Sequence, residues 1–572
     1  MIAAGTTGLI AAATAGPARA AARGRSEAVD GTPEQVHLTW GEDPTRSVVV
    51  SWASPGQAER PRVRIGQRVI TATERAYTEM PGGHATWTYH ARVNGLRPGA
   101  TYGYAVTADN DVNGADPFSA TFTTAPEGRA AFRFTSFGDL ATPSLAWAAY
   151  AVGAVETFQP LFHLFNGDLT YVGPNPAALN PDERAQAWRD FGNNVQASAA
   201  NRPWLPVPGN HELETRDGEP GSASNLTTYT LPSEGIDDLE RRWYAFRVGT
   251  ALFVSLSGED VAYQDAGYQD TGTGAGSTGA GSTGPPPPTP AGDLPVPAGT
   301  PTYVRGYSGG TQTRWLESTL AAARADPSID WIIVQLHHCA CSSAPDGNGS
   351  DLGVRREWLP LFDTYEVDLV LSGHDRGYER SFPVRGFDSD AGTDPVTGAV
   401  ADTRRPHPVT TVDSGVFDTS QGTVHLVLGS GGGFPVPAGP GDGAPADGRP
   451  ADGRPGTSPR MARVHTKPPA ADAVEVANWS ARRGTSTGYG IAVFDVSPGS
   501  EAGGQTSVTV RYYHAAGPDQ VNPDQVSTEP VSTEPVSTGT STLGAPIDDY
   551  TLFETFTLVR PRSDGRRWHP KG

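Results

Sequence analysis

Five short apolar segments, each ending in a polar cluster, constrain the fold of this 572-residue chain more than any other feature. In chain order they read FRFTSFGD, LFHLFNGD, WLPVPGNH, WIIVQLHH and VDLVLSGH. Stretches with helical character separate most of them, at 145–158, 183–191, 312–325 and 354–366. Because strands and helices alternate, the pattern predicts a layered α/β domain whose strand ends gather at one edge of one sheet. In such sheets, sites form at the carboxyl ends of the strands.

Four later apolar segments follow without helices between them, at 422–430, 490–497, 507–515 and 550–559. Their length and their β-branched and aromatic content are typical of strands. We expect them to complete a second, more antiparallel layer of the same domain.

The segment 33–126 has a different, all-β pattern. Val36, Leu38 and Trp40 alternate with polar residues, as expected for a strand with one buried face. The stretch LRPGATYGYAV places a Pro-Gly turn before Tyr102, much like the corner of a fibronectin-type sandwich. A small fibronectin type III-like β-sandwich is therefore predicted ahead of the α/β domain.

Composition marks the domain boundaries. Tandem repeats of AGSTG, ADGRP and VSTEP cannot bury enough apolar surface to fold, which predicts flexible insertions near 265–300, 435–460 and 517–545. The predicted organisation is an export signal and disordered N-terminus at 1–32, the β domain at 33–126, the α/β domain at 127–562 and a tail at 563–572.

The first residues suggest export. Residues 2–22 are Ala-rich and mildly apolar, and they end in Ala18-Arg19-Ala20, which is similar to the small-residue cleavage site of a signal peptide. The charged start of such a signal is missing, which favours a start codon further upstream. We expect a secreted, extracellular protein; the alternative is a disordered Ala-rich tail.

Charge excludes one class of partner. The chain has 43 Lys and Arg against 63 Asp and Glu, a formal net charge of −20, so a basic surface for nucleic acid or an anionic membrane is not expected. Outside the N-terminus no segment has 18 consecutive apolar residues, and no membrane span is predicted.

The two cysteines, Cys339 and Cys341, are too close in one extended stretch to form a disulfide readily. They are interpreted as two buried thiols, since free cysteine behaves as a small hydrophobic residue. Thiolate ligands beside His337 are the alternative.

Each of the five predicted strands ends on residues that can bind a metal. A single such residue is usually a helix cap or a loop hydrogen bond, but five at successive strand ends indicate a metal centre. The mixed carboxylate, amide and imidazole groups suit zinc, iron or manganese. Asp168 is a natural bridge between two ions, which could activate a hydroxide toward a phosphoryl group. The residues are, in order, Asp139; Asp168 with Tyr171; Asn210 with His211; His337; and His374.

These segments resemble the metal-binding blocks of a known family. GD at 138, GDLTY from 167, GNHE from 209, VQLH from 334 and GHDRGYER from 373 resemble, in order and spacing, the calcineurin-like metallophosphoesterases. The tyrosine three residues after the second aspartate, together with the preceding β-sandwich, is similar to the purple acid phosphatase branch. The resemblance implies a four-layered α/β/β/α catalytic domain and a secreted, metal-dependent phosphoric ester hydrolase.

Residue by residue, the resemblance implies two metal sites. Asp139, Asp168 and Tyr171 would hold a first, ferric ion. A second, divalent ion, zinc or manganese, would bind a second set of residues. His211 would act as acid to the leaving oxygen or as donor to the phosphoryl group, or it would steady the Asn210 loop. The second set comprises Asp168, Asn210, His337 and His374.

Arg376 departs from the family pattern, which has a histidine there that completes the first metal site. A guanidinium has only donors and cannot bind a metal, and strand-like alternation turns Asp375 and His338 away. Three hypotheses follow. Arg376 replaces the first ion and also binds phosphate; two metals still bind, the first one weakly; or catalysis has been lost.

Three functions therefore remain open. An acid phosphatase-like hydrolase acting on small-molecule phosphate esters is preferred. A phosphodiesterase is the first alternative, because CACSSAPDGNGSD, after the VQLH block, contains no histidine for a monoester phosphate. The second is a non-catalytic, secreted binding protein.

Overall fold

The structure is a computed structural model. It leaves the predicted export signal, most of the three predicted insertions and part of the predicted tail outside the described residues, so those predictions are not tested there. It describes residues 29–78, 85–114, 116–140, 145–171, 181–213, 229–232, 242–264, 266–267, 303–344, 348–388, 392–393, 400–432, 460–467, 470–484, 490–515 and 550–565.

The first domain is a sandwich of two four-stranded sheets, ordered β1-β2-β6-β5 and β4-β3-β7-β8. The hydroxyl of Tyr102 accepts a 2.8 Å hydrogen bond from the backbone N–H of Arg97, which is the tyrosine corner expected from the turn before it. The strands are β1 Glu34–Thr39, β2 Val48–Ser54, β3 Arg62–Ile65, β4 Arg68–Thr71, β5 Thr73–Thr78, β6 Ala85–Val93, β7 Thr101–Thr107 and β8 Phe118–Thr123.

The prediction of one buried face for β1 was wrong. Val36 and Leu38 are buried as expected, but His37 and Thr39 on the opposite face are buried as well. The second domain covers that face: the His37 ring packs on Tyr229, with centroids 4.8 Å apart. A strand sequence shows which residues are apolar, but it does not show that a second domain lies against the polar face.

The second domain contains two seven-stranded sheets, ordered β11-β10-β9-β29-β30-β31-β24 and β12-β13-β16-β18-β25-β19-β28. The remaining strands form a five-stranded sheet, ordered β17-β26-β27-β21-β22, and the pairs β14-β15 and β20-β23. In chain order the strands are β9 Phe132–Phe137, β10 Phe162–Phe165, β11 Trp204–Pro206, β12 Tyr244–Val248, β13 Ala251–Ser255, β14 Ala266–Gly267, β15 Tyr303–Val304, β16 Trp331–Leu336, β17 Ser350–Asp351, β18 Leu369–Ser372, β19 Tyr378–Ser381, β20 Val384–Asp388, β21 Gly392–Thr393, β22 Val400–Ala401, β23 Arg405–Pro408, β24 Val416–Asp418, β25 Val424–Leu428, β26 Met461–His465, β27 Ala473–Val476, β28 Ser480–Gly484, β29 Gly490–Ser497, β30 Gln505–Ala515 and β31 Tyr550–Pro561.

The helices lie close to their predicted positions except for α2, which ends at Ala199 instead of the predicted 191. The predicted stretch 354–366 is two helices rather than one, because Pro360, in the first turn of the second helix, has no N–H to continue the first. None of the helices in the described part of the chain is long and apolar enough to cross a membrane. They are α1 Leu145–Phe158, α2 Pro181–Ala199, α3 Asn210–Leu213, α4 Thr311–Ala325, α5 Leu352–Glu357 and α6 Leu359–Thr364, with single 3₁₀ turns at Gly258–Asp260 and Ser563–Gly565.

The sequence predicted that the five strands with polar ends share one sheet. That prediction was wrong, because they belong to two sheets. Strands β9, β10 and β11 run parallel in the first sheet, whereas β16 and β18 run parallel in the second. The later strands are also divided: β29 pairs antiparallel with β9, while β25 pairs parallel with β18. All of these strands are apolar, so the sequence pattern could not assign them to one sheet or the other.

The two large sheets pack face to face through aromatic side chains. Phe253 of the second sheet contacts Phe134 and Phe162 of the first, with ring centroids 5.2 Å and 5.1 Å apart. On the other face of β16, Ile332 and Val334 belong to a separate apolar cluster with Leu316, Leu320 and other residues. Because the sheets pack directly on each other, the carboxyl ends of their parallel strands can meet at one rim.

Candidate metal centre

The loops that follow three of the five strands bend sharply. Asp139, Asp168 and His374 have φ angles of 60°, 52° and 68°, which are rare for residues other than glycine. Such strained positions cluster at functional sites, where the surrounding structure maintains them. The glycine before His374 is required by space as well, since a Cβ atom on Gly373 would lie 2.6 Å from Oδ2 of Asp139.

Three side chains converge on one nitrogen atom of a fourth, His337. Nε2 of His337 lies 3.0 Å from Oδ1 of Asn210 and 3.1 Å from Nδ1 of His374. It also lies 3.2 Å from Oδ1 of Asp168. Ligands at the 2.0–2.1 Å distances of a tetrahedral zinc site are separated by about 3.3 Å, so these spacings fit a metal ion. We call Asp168, Asn210, His337 and His374 the four-residue donor set.

The hydrogen bonds of His337 support this interpretation. Its Nδ1 lies 2.8 Å from the backbone carbonyl of Asn166, which can only accept, so Nδ1 carries a proton. In the neutral ring Nε2 is then an acceptor that faces the oxygens of Asp168 and Asn210, which are also acceptors. Acceptors this close to one another repel unless they share a cation. A carbonyl bonded to the second nitrogen is also the usual way to orient a metal-binding histidine.

The charges around His337 act in the same direction. Burial alone would lower the pKa of His337, but the carboxylates of Asp168 and Asp139 outweigh burial and raise it to about 10. The site therefore favours a positive charge at this nitrogen, which a proton or a metal ion can provide. Among the described residues, ligand atoms of Asp168, His337 and His374 lie within 4.8 Å of one another.

A second group of oxygen atoms lies beside the first. The hydroxyl of Tyr171 is 3.0 Å from Oδ1 of Asp139 and 3.0 Å from Oδ2 of Asp168. Oδ2 of Asp139 accepts a 2.9 Å hydrogen bond from the backbone N–H of His374. We call Asp139, Asp168 and Tyr171 the oxygen donor set. Asp168 belongs to both sets because its two carboxylate oxygens point in different directions.

The two carboxylates of the oxygen donor set have different electrostatic environments. Burial raises the pKa of Asp139 to about 6, although the positive charges of His337 and Arg376 oppose the shift. Burial also opposes the ionisation of Asp168, but His337 and His211 outweigh it and hold the pKa of Asp168 below its usual range. Asp168 is thus the carboxylate that the site keeps ionised.

His211 and Arg376 lie beside Tyr171. The His211 ring packs edge-on against Tyr171, with centroids 4.7 Å apart, and its Nε2 is 3.8 Å from Oδ2 of Asp168. The guanidinium of Arg376 lies 5.1 Å from the centroid of the Tyr171 ring. Both side chains are partly exposed, whereas Tyr171 and the two donor sets are buried. All eight predicted site residues therefore lie together, and the two predicted catalytic residues are the ones that solvent reaches.

Two neighbouring residues that could have replaced the missing histidine make other contacts. Asp375 accepts hydrogen bonds from the backbone N–H groups of Asn348, at 2.6 Å, and Gly349, at 2.9 Å. Nδ1 of His338 lies 3.5 Å from Oε1 of Glu259. The Asp375 carboxylate therefore turns away from the first site, as predicted, whereas the His338 ring packs against His374, with centroids 4.4 Å apart.

Both cysteines are buried and unbonded to each other, as predicted. Sγ of Cys339 donates to the backbone carbonyl of Gly373, at 3.1 Å. Burial raises the pKa of both thiols, which does not favour the thiolate form that a metal would need.

Glu212 was missed by the sequence reasoning. This buried carboxylate accepts hydrogen bonds from the backbone N–H groups of Asp168 (2.9 Å), Leu169 (2.8 Å) and Gly209 (2.7 Å). It thus joins two loops of the site. Its position in the GNHE block was a signal, but only the fold shows that it bonds backbone rather than metal. Burial raises its pKa to about 8.

Comparisons with known proteins show which proteins this chain resembles. Residues 33–125 match the family model for the N-terminal domain of purple acid phosphatases, and residues 147–377 match the model for calcineurin-like phosphoesterases. An uncharacterised protein of Mycobacterium tuberculosis is 37% identical over 541 residues, which cover 90% of each chain.

More distant relatives have assigned activities. The phosphoenolpyruvate phosphatase of Allium cepa is 24% identical over 367 residues, 62% of this chain and 64% of that protein. The Fe(3+)-Zn(2+) purple acid phosphatase 12 of Arabidopsis thaliana is 22% identical over 61% of this chain and 65% of that protein. The structure of a purple acid phosphatase from yellow lupin, Lupinus luteus, shares the fold with a TM-score of 0.56 at 16% identity, covering 93% of this chain and 75% of that one.

The fold and the metal-ligand cluster define a phosphoesterase of the calcineurin type. Within that class, the chain belongs to the purple acid phosphatase-like family, in which an N-terminal β domain precedes the phosphoesterase domain. The predicted family is confirmed, and so is the predicted order of an N-terminal β domain and a phosphoesterase domain; the four-layered arrangement stays a prediction.

Proposed function

We propose that the chain hydrolyses small-molecule phosphate esters with the help of bound metal ions, for which iron together with zinc or manganese are the candidates. The observation that carries the proposal is the contact of His337 Nε2 with Asp168, Asn210 and His374 at 3.0–3.2 Å. This donor set, with one carboxylate, one amide and two imidazoles, is the mixture that those metals bind.

The chain's own residues hold and orient this site. A bound ion would polarise the phosphoryl group and acidify the water that attacks it. Asn166 fixes the ring of His337 through its backbone carbonyl. Glu212 fixes the loops of Asp168 and Gly209 through their backbone N–H groups. Outer partners of this kind are typically worth 10- to 100-fold in metal affinity or activity.

The ester would reach the site from the side of His211 and Arg376, since both are partly exposed. His211 would protonate the leaving oxygen or donate a hydrogen bond to the phosphoryl group. Arg376 would bind two phosphoryl oxygens, because a guanidinium matches the geometry of phosphate.

The proposal is tested with full-length protein, first stripped of metal by a chelator and then supplied with zinc, manganese or iron. We expect hydrolysis of a chromogenic phosphate ester to disappear on stripping and to return with at least one metal. His337→Ala should abolish the return. His407→Ala is the matched control, because His407 is exposed and pairs with Asp388 away from the centre. Wild type that stays inactive with every metal and ester would contradict the proposal and favour a non-catalytic binding protein.

A second candidate is hydrolysis of phosphodiesters. After His337, the described residues 339–344 (CACSSA) add no cationic side chain, and the hydroxyls of Ser342 and Ser343 bond Asp375 and Glu379. A diester carries one negative charge fewer than a monoester dianion and needs fewer cations. Rates on paired mono- and diesters with the same leaving group decide between the two.

We also propose that the protein is secreted. The Ala-rich residues 2–22, ending in Ala18-Arg19-Ala20, support this proposal. N-terminal sequencing of protein from the culture medium would give a chain beginning after Ala20. Retention of the full chain inside the cell would contradict it.

A further inference from the structure

We propose that Arg376 takes the place of one metal ion. In this proposal, which deepens the proposed function and rests on its metal centre, the four-residue donor set binds a single divalent ion. The guanidinium of Arg376 supplies the second positive charge, beside the oxygen donor set.

The oxygen donor set offers an ion fewer ligands than the four-residue donor set does. It offers three residues, Asp139, Asp168 and Tyr171, and Asp168 also faces His337. Catalytic zinc sites use three protein ligands and structural ones four, so this set reaches the lower number only by sharing Asp168.

Both oxygens of Asp139 already accept hydrogen bonds. Oδ1 accepts from the hydroxyl of Tyr171 at 3.0 Å, and Oδ2 accepts from the backbone N–H of His374 at 2.9 Å. The same hydroxyl lies 3.0 Å from Oδ2 of Asp168. An ion at the oxygen donor set would have to replace these hydrogen bonds.

Arg376 is placed to neutralise this group. Its guanidinium lies 5.1 Å from the centroid of the Tyr171 ring, within the range of a cation–π contact, and its charge acts on Asp139. The guanidinium remains protonated and has no lone pair for a metal. A second cation of higher charge at the oxygen donor set would therefore meet repulsion from Arg376 and gain no ligand from it.

The decisive measurement is the number of metal ions per chain. Metal-stripped, full-length protein is loaded with excess Zn²⁺, desalted and analysed by mass spectrometry for metal. We expect one ion per chain for the wild type and two for Arg376→His, which adds an imidazole at this position. Arg314→His, on the exposed face of α4, is the matched control and should bind one.

Two further measurements remain informative if Arg376→His fails to fold. Tyr171→Phe should still bind one Zn²⁺ ion, because in this proposal the phenol is not a ligand. Wild type loaded with ferric iron should lack the visible absorption of an iron-bound phenolate. Two ions in the wild type, a visible phenolate band, or loss of the ion in Tyr171→Phe would each overturn the proposal.

The failure of this proposal can be separated from failure of the proposed function. A wild type that binds one ion but hydrolyses no ester contradicts the function and supports the one-ion centre. A wild type that binds two ions and hydrolyses esters supports the function and overturns the one-ion centre. A wild type that binds no ion overturns both.

Discussion

The imidazole of His211 packs edge-on against the ring of Tyr171, with centroids 4.7 Å apart. This contact holds His211 at the open side of the metal centre, where it is partly exposed. Its backbone N–H also donates to Oδ1 of Asp168, at 3.2 Å. His211 thus contacts Asp168 and Tyr171 but is not a member of the four-residue donor set.

Replacing His211 should therefore reduce the rate but not the binding of metal. For His211→Ala we expect kcat to fall by about 10²- to 10⁴-fold, the usual range for loss of a general acid. The measurement is kcat on a chromogenic phosphate ester, with metal per chain measured on the same sample. A leaving group that needs no protonation should reduce the loss. If metal content falls in parallel with kcat, His211 supports the Asn210 loop instead.

Glu212→Gln tests a positioning role. The amide has one acceptor oxygen, so it cannot accept the three backbone hydrogen bonds that Glu212 accepts. We expect the free energy of unfolding to fall by about 1–3 kcal/mol and metal affinity to weaken by about 10- to 100-fold. Denaturant unfolding and metal titration measure the two effects.

The matched control for that change is Glu317→Gln, on the exposed face of α4. Exposed substitutions of this kind usually stay within about 0.5 kcal/mol. Equal stability and equal metal affinity for the two variants would show that Glu212 does not hold the loops.

His425 should make stability depend on pH. Burial, and then the charge of Arg355, lower its pKa from 6.5 to about 3. Between those values the unfolded chain binds a proton at His425 that the folded chain does not. The free energy of unfolding should therefore fall as the pH falls through this window, by up to about 1.4 kcal/mol per pH unit from this residue.

The measurement for His425 compares wild type with His425→Leu by denaturant unfolding between pH 6.5 and 4. As the pH falls, we expect the free energy of unfolding of the wild type to decrease relative to that of His425→Leu. Parallel curves for the two proteins would mean that His425 is protonated in the folded chain or does not become exposed on unfolding.

Tyr104→Phe tests the contact between the two domains. The buried hydroxyl of Tyr104 in β7 donates to the backbone carbonyl of Ala200, which follows α2, at 2.7 Å. Its removal leaves that buried carbonyl without this donor, and we expect a loss of about 1–3 kcal/mol. Tyr102→Phe in the same strand removes a more exposed hydroxyl and should cost less. A larger loss for Tyr102→Phe would contradict the importance of the domain contact.

Much of the site could be predicted from the sequence, because its ligands follow short apolar strands in a fixed order. Asp139, Asp168, Asn210, His337 and His374 were all placed by that pattern, and the structure brings them together. The partners that fix them could not be predicted. The carboxylate of Glu212 and the carbonyl of Asn166 act through backbone groups, whose positions depend on how the loops pack.

The sequence also did not show which strands belong to each of the two large sheets. The sequence of β16 is as apolar as that of β9, and nothing in either strand indicates that β29 pairs with β9 while β18 pairs with β16. Sheet membership depends on which strands can pair without exposing apolar faces, and that is a property of the whole domain.

The sequence by itself determined the class of protein, the ligand types and the presence of an arginine where a metal ligand is expected. Only the tertiary structure decided where that arginine lies. Oδ2 of Asp139 is bonded to the backbone of His374, 235 residues later, and Arg376 lies over Tyr171 beside it. Contacts over such separations exist only after two sheets have packed face to face, because the packing fixes the distance between their strand ends.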